Sequence, residues 1–236
     1  MSYEAKLVAD YARRLLSLAS ARLPQEYYYN SLPLCVLDAV YSIGVRYSGT
    51  KAVVERYCNK YGLQKYRMDH VELPPKEDQE SIIQFINKCE SFGSDRMAEE
   101  IYCNRQRTST RSGILKAEAV FIFAKALRDY GGIYLQDVPG LINNYRFHRA
   151  IKKIPGQASG ISLQYFWMLS GSNDFVKPDR MMTRFLQSAL GREVTINEIQ
   201  GLAVNACGLL NAEFKHLTPR LLDYEIWKYQ SNIVAS

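Results

Sequence analysis

No two of the five cysteines, Cys35, Cys58, Cys89, Cys103 and Cys207, have CxxC spacing, and none has a histidine close by in sequence. An odd count without such pairs excludes a disulfide framework and a zinc site, and predicts reduced thiols inside a cell. Glycine and proline are scarce, at 14 and 8 of 236 residues, which excludes collagen-like and long disordered segments. Long apolar runs are missing too. The stretch from Ala117 to Leu127 is interrupted by Glu118 and Lys125, and Glu4 and Asp10 sit among the first apolar residues. Neither a membrane span nor a signal peptide is expected, which predicts a cytoplasmic or nuclear protein that is not secreted and has no membrane partner. There is no internal repeat, no low-complexity tract and no period-two alternation of useful length, so the fold class expected is all-α.

What is present is an ordinary globular composition, 47% hydrophobic and 23% charged, in a chain long enough to bury a real core. The net charge of +6 is too small to name a partner, but it is unevenly placed. Between Ile101 and Gln200 there are 14 basic and 7 acidic residues; the rest of the chain holds 16 and 17. The positive charge is a property of the middle of the chain.

Apolar residues recur at helical spacing nearly throughout. Leu7, Tyr11, Leu15 and Leu18 mark a first helix ending before Pro24. A second follows Ser31 through Leu34, Leu37, Tyr41 and Val45, with a break at Gly49-Thr50 before a third through Val54 and Tyr57. Ile82, Phe85, Ile86 and Cys89 make another face, and the Ala-rich run Ile114–Tyr130 stops at Gly131-Gly132. A helix through Phe147 and Ile151 stops at Ile154-Pro155-Gly156, the chain turns through Gln157-Ala158-Ser159-Gly160, and the helix from Ile161 to Leu169 is apolar nearly all round. Val176-Lys177-Pro178-Asp179 then opens a helix whose apolar face is Met182, Phe185, Leu186, Ala189 and Leu190, with Arg180 and Arg184 opposite.

A tight turn of small residues between two helices leaves backbone N–H groups unpaired beside a helix N-terminus, so it can hold a phosphate oxygen without any side chain. Lys152 and Lys153 flank the turn and add salt-sensitive attraction. A plain helix connection, with Gly and Pro serving geometry alone, accounts for the same residues. Asn104-Arg105-Gln106-Arg107-Thr108-Ser109-Thr110-Arg111-Ser112 packs three arginines and four hydroxyls into nine positions. Arg105, Arg107 and Arg111 can contact phosphates, and Asn104 or Gln106 can read or replace an extruded base; a solvated loop is the alternative. Tyr28, within Tyr27-Tyr28-Tyr29, is either a ring that stacks on a base or core packing.

Ile154-Pro155-Gly156 between two short helices, followed about twenty residues later by Val176-Lys177-Pro178-Asp179 at a helix start, resembles the signature of the helix–hairpin–helix DNA glycosylases of the endonuclease III superfamily. The flanking helices sit in comparable places, so the resemblance spans most of the chain, although about forty residues carry its specific motifs. It implies two helical subdomains with a DNA-binding cleft between them, in a single unit over 1–236 that is expected to be a monomer. The approximate parts are 31–130 with the Arg-rich loop, 141–190 with the hairpin and the aspartate, and 1–30 with 191–236 as terminal helices.

The resemblance also implies an activity: binding double-stranded DNA, flipping a damaged or modified base and hydrolysing its N-glycosidic bond. Asp179 takes the catalytic place, where a carboxylate stabilises positive charge on the sugar and orients the attacking water; helix capping is the other role open to an Asp there. Gly156, Gln157, Ala158, Gly160, Lys152, Lys153, Lys177 and Arg180 fall where DNA contacts are expected. The family usually has a second glycine where this chain has Ala158. Bifunctional members carry a lysine at the position of Gly160 or its neighbour, so water is the expected nucleophile here. The four-cysteine iron–sulfur loop of some relatives is missing, since only Cys207 lies beyond Asp179. No cofactor is expected, beyond room for a structural monovalent cation at the hairpin. A non-catalytic DNA-binding protein on the same scaffold is the rival expectation.

Overall fold

A computed structural model describes residues 2–235. The described residues are helical, with no strand beyond two isolated bridges, Tyr29 with Tyr66 and Arg107 with Leu115. In chain order the helices are α1 (Tyr3–Leu15), α2 (Leu32–Tyr41), α3 (Tyr47–Tyr61), α4 (Ile82–Phe92), α5 (Ser94–Arg96) running into a π-turn (Met97–Ile101), α6 (Lys116–Asp129), α7 (Pro139–Ile142), α8 (Tyr145–Lys152), α9 (Ile161–Leu169), α10 (Arg180–Leu190), α11 (Ile196–Leu210) and α12 (Pro219–Ala235). Their contacts divide the chain into two compact units, 25–170 and 1–24 with 171–236. The division at Ser170-Gly171 runs through the expected 141–190 segment and puts the hairpin in one unit and Asp179 in the other.

The unit of residues 25–170 is built around α2, all ten of whose residues are buried. A helix enclosed on every side must be apolar or have its polar groups bonded. Its Asp38 accepts from Tyr29 Oη at 2.8 Å and Tyr47 Oη at 3.0 Å, both on Oδ2. α3, α4, α6 and α9 pack on it, and Phe123, Phe147, Phe166 and Trp167 extend the core with ring centroids 5.1–6.3 Å apart. The rings of Tyr165, Phe166 and Trp167 are buried, as a central helix requires. The second helix ends earlier than its spacing predicts. The chain turns at Ser42–Arg46, where Gly44 takes φ +71°, and Gly49 and Thr50 lie in the first turns of α3 instead of breaking it. Gly49 has open space where a side chain would be, so its only cost there is helix propensity.

In the other unit, α1 packs on α11 and α10, and α12 on α10 and α11. The buried face of α1 is Ala5, Val8, Ala9 and Ala12, while Leu7 and Tyr11 lie at its edge and Leu15 is exposed. Small residues meet Ala203 and Ala206 of α11 in the same core, so close packing of small side chains, not the largest apolar ones, decides which face turns inward. α4 starts with a Ser81–Gln84 capping box and ends at Gly93, φ +76°.

One buried polar group ties the central helix to a loop. Lys116, 3% exposed at the start of α6, donates from Nζ to the Tyr41 and Ile43 carbonyls, each at 2.9 Å, and to Gln106 Oε1 at 3.3 Å. Lys116→Met keeps the aliphatic stem but leaves carbonyls at the end of α2 without their donor. A loss of about 3 kcal/mol is expected in urea unfolding, together with faster proteolysis within 104–112; wild-type values for both would show that this ammonium has no anchoring role.

Candidate functional site

The hairpin is built as its sequence suggests. α8 ends at Lys152, two successive turns run Ile154–Gln157 and Gln157–Gly160, and α9 starts at Ile161. Gly156 and Gly160 have φ of +82° and +77°, a region that L side chains rarely adopt. Gln157 N donates to the Ile154 carbonyl at 2.9 Å and Gly160 N to the Gln157 carbonyl at 3.0 Å. Among the described residues the N–H groups of Gly156, Ala158 and Ser159 have no acceptor. These donors stand at an exposed turn in front of a helix N-terminus, a place where an anion's oxygen is favoured.

Gln157 itself faces inward. It is 2% exposed and its Oε1 accepts from Ser162 Oγ, so the side chain braces the turn and is not presented to a partner. Ala158 is exposed at the turn's tip. A methyl on Gly160 would lie 2.9 Å from Lys152 Cε and 3.5 Å from Nζ, so the Lys152 chain folds across that glycine.

The fold brings the Arg-rich loop against this hairpin. A side chain at Gly156 would run into Thr108 Cβ, with Thr108 Oγ1 at 2.8 Å and the Thr108 carbonyl at 3.1 Å. The loop is a narrow out-and-back excursion held by Thr108 N to the Ile114 carbonyl, 2.9 Å, and Lys116 N to the Gln106 carbonyl, 2.8 Å. Cys103, at φ +44° and exposed, turns the chain into it. Asn104 Oδ1 accepts from Gln106 N at 2.9 Å, and the Gln106 side chain is exposed but for its contact with Lys116. Both are engaged in shaping the loop.

The three arginines differ. Arg105 is paired with Asp95 at 3.0 Å and Glu99 at 3.1 Å, which neutralises it locally. Arg107 donates to the Gly113 carbonyl at 2.8 Å and closes the loop's base. Arg111 is exposed and has no acidic partner among the described residues.

The spacing of basic residues in α8 carries a further signal, absent from the hairpin motif itself. Arg146, Arg149 and Lys153 lie along one exposed face and, with Tyr130 and Ala150, line a shallow concavity. Among the described residues none of Arg146, Arg149, Lys152 and Lys153 is in an ion pair. The hairpin therefore stands at the end of a helix with four cations not neutralised by the fold, an arrangement suited to a polyanion.

Asp179 belongs to the other unit. It is the N-cap of α10: Oδ1 accepts from Met181 N at 2.8 Å and Met182 N at 3.2 Å. Oδ2 has no hydrogen-bond partner among the described residues, and the residue is half-buried. The approach to it is clamped. Gln200 of α11 accepts from Val176 N at 3.1 Å and donates to the Asp174 carbonyl at 2.7 Å, Arg220 N donates to the Asn173 carbonyl at 3.1 Å, and Asp223 of α12 accepts from Lys177 N at 2.8 Å. Lys177 is half-buried, and Arg180 is exposed on the first turn of α10.

Asp223 is a functional candidate that sequence reading passed over, because it lies 44 positions beyond Asp179 in an ordinary amphipathic helix. It is 6% exposed; burial, and then the Asp179 charge, push its carboxyl well above the usual range, against the opposing pull of Lys177. Burial without a counter-charge disfavours the ionised form of a carboxyl, and a second carboxyl in the same neighbourhood adds to that cost.

Beyond this geometry, one comparison is informative. A family model described as a domain of unknown function (DUF8548) matches residues 5–231. The chain belongs to that family. No curated protein and no solved structure matches the chain. The family match spans both units, so the hairpin and Asp179 lie within one family domain. Among the described residues no group of three or more His, Cys, Asp or Glu side chains could hold a metal ion, and no helix is long and apolar enough to cross a membrane.

Two outcomes follow from this geometry. Gly156→Ala should cost about 3 kcal/mol, because strain at positive φ adds to a collision with Thr108, whereas Gly160→Ala, opposed by the flexible end of Lys152, should cost about 1 kcal/mol. Equal unfolding midpoints for the two variants would contradict the tight approach of hairpin and loop. Asp223 has a raised folded-state pKa, so its contribution is fully present below the unfolded value near about 3.9 and is lost as pH rises through the folded value. Asp223→Asn keeps an acceptor for Lys177 N and removes the ionisation, so it should raise the urea midpoint relative to wild type at pH 7, with the gain shrinking toward pH 4.

Proposed function

We propose that the protein is a DNA glycosylase-like base-excision enzyme, a monomer that binds double-stranded DNA, takes a damaged or modified base out of the stack and hydrolyses its N-glycosidic bond. The observation that supports this most directly is the Asp179 carboxylate. One of its oxygens is fixed by two backbone N–H groups, the other has no partner among the described residues, and the segment leading to it is clamped by α11 and α12. Such a carboxylate is oriented before substrate arrives, as electrostatic catalysis requires.

In the reaction the bond from C1′ to the base nitrogen breaks with its electron pair going to the base, and positive charge grows on the sugar facing Asp179. Water oxygen then bonds to C1′. Its proton passes to the Asp179 carboxylate and on to solvent, and the base departs after taking up a proton. The unpaired N–H groups of Gly156, Ala158 and Ser159, the cations of α8 and Arg111 grip the phosphate backbone without reading sequence. The chemistry asks for no cofactor.

Water as nucleophile is consistent with Gly160 at the place of a lyase lysine. Lys152 crosses that glycine, and its amine is the group a borohydride trapping experiment would report; no covalent DNA adduct is expected. The second reading, a DNA-binding protein without catalysis, is favoured by Ala158 and by the fact that capping α10 is a sufficient structural role for Asp179.

A test independent of base identity uses a duplex in which one deoxyribose is replaced by a pyrrolidine ring, whose ammonium mimics the charged sugar. Wild type should bind it at least about 100-fold more tightly than the unmodified duplex. Asp179→Asn should lose most of that preference and keep its affinity for unmodified DNA. Equal binding of the two duplexes by wild type, with affinity that falls as salt rises, would assign the protein to the non-catalytic reading.

A further inference from the structure

A buried arginine in the unit of residues 25–170 has no ion-pair partner among the described residues. Arg67 is 4% exposed, and its Nε and Nη2 are sealed from solvent without a hydrogen-bond partner among the described residues. Leaving a guanidinium desolvated and unbonded is costly, and its burial pulls its pKa down accordingly. The ionisable groups around it are Cys35, Tyr28 and Asp69. Asp69, the one carboxylate among them, is turned away: its Oδ1 accepts from Val71 N at 2.6 Å and Glu72 N at 3.2 Å, closing a local turn.

Against Arg67 lies an aromatic stack. The guanidinium carbon lies 5.6 Å from the centre of the Tyr28 ring, and Arg67 N donates to the Tyr28 carbonyl at 2.9 Å, so the two residues are locked together by backbone and ring. His70 lies flat on Tyr28, with centroids 3.9 Å apart and planes 5° from parallel. His70 is exposed, as is every residue from 68 to 73, with Met68 at 92% and Val71 at 90%. This segment is thinly held. Its hydrogen bonds are the local ones of Asp69, and it places an imidazole where another flat ring could lie.

We infer that Arg67 is the receptor for a phosphate group, reached when the 68–73 segment lifts, with the Tyr28 face beside it offering a stacking surface for an attached base. A guanidinium fork matches two oxygens of one phosphate, and an anion there would supply the missing partner for Nε and Nη2. Rings beside an arginine are the usual furniture of single-stranded nucleotide binding. The phosphate can come from free inorganic phosphate or from a nucleic-acid backbone, and the inference does not depend on the glycosylase reading or on Asp179.

The test is made on the full chain at constant ionic strength, with chloride as the balancing salt. Inorganic phosphate at about 20 mM should raise the wild-type melting temperature by about 3 °C, and in nitrogen-15 NMR the protected Nε–H signal of Arg67 should move with phosphate. Arg67→Met should abolish the phosphate effect, and in phosphate-free buffer should melt no lower than wild type, because it removes an unbonded buried charge. Thymidylyl-thymidine, which carries a phosphodiester and no terminal phosphate, separates the sources. A response to it places a nucleic-acid backbone at the site, and a response to inorganic phosphate alone places a free phosphate there. Absence of both responses in wild type, or an undiminished phosphate shift in Arg67→Met, overturns the inference. Should Arg67→Met fail to fold, the wild-type Nε–H titration decides by itself.

Discussion

The Lys116 ammonium holds together what the rest of the 25–170 unit takes for granted. α2 is enclosed on all sides, and a helix so placed cannot leave its last carbonyls to water. Lys116 satisfies the last of them, that of Tyr41, together with the Ile43 carbonyl just beyond the helix, and reaches Gln106 with the same nitrogen. The end of the central helix, the start of the long helix and the root of the Arg-rich loop are thereby fixed to one point. Because Thr108 of that loop occupies the space a side chain at Gly156 would need, the hairpin's position depends on the same point. The unpaired N–H donors of the hairpin are thus referred back to the core by a short series of contacts.

The other unit solves a similar problem with side-chain acceptors. Residues 173–179 have no regular structure, yet their backbone is held from two helices, by the amide of Gln200 and the carboxyl of Asp223. Asp179 therefore inherits its orientation from α11 and α12 as much as from the helix it caps. Burial, more than the neighbouring charge of Asp179, raises the cost of ionising the Asp223 carboxyl that holds this segment.

Much of this was legible in the chain. The helices from Ile82, from Lys116 and from Arg180 carry clear apolar faces and end at glycines, Gly93, Gly131 and Gly191, whose positive φ confirms the reason for them. The turn at Ile154–Gly160 was equally plain, since Pro and Gly at a helix end leave few alternatives. The break after α2 was misread because Gly44 and Gly49 are both reasonable punctuation and only packing selects between them. The buried face of α1 was misread because a close helix pair rewards alanine over leucine. Gln157 turns inward for a reason no spacing reveals, the presence of Ser162 in the first turn of α9. Asp223 and Arg67 were illegible in principle: a buried carboxyl or guanidinium is defined by what surrounds it, and those neighbours come from distant parts of the chain.

Cys103 has a practical consequence of its own. Four of the five cysteines are buried, with Cys103 the exposed one, and it stands at the strained bend where the Arg-rich loop leaves the π-turn. A maleimide dye added to the native protein would therefore attach at the root of that loop before reaching any other sulfur. The chain carries its own labelling handle next to the surface on which a polyanion is expected to land, so docking there could be followed by fluorescence without introducing a residue.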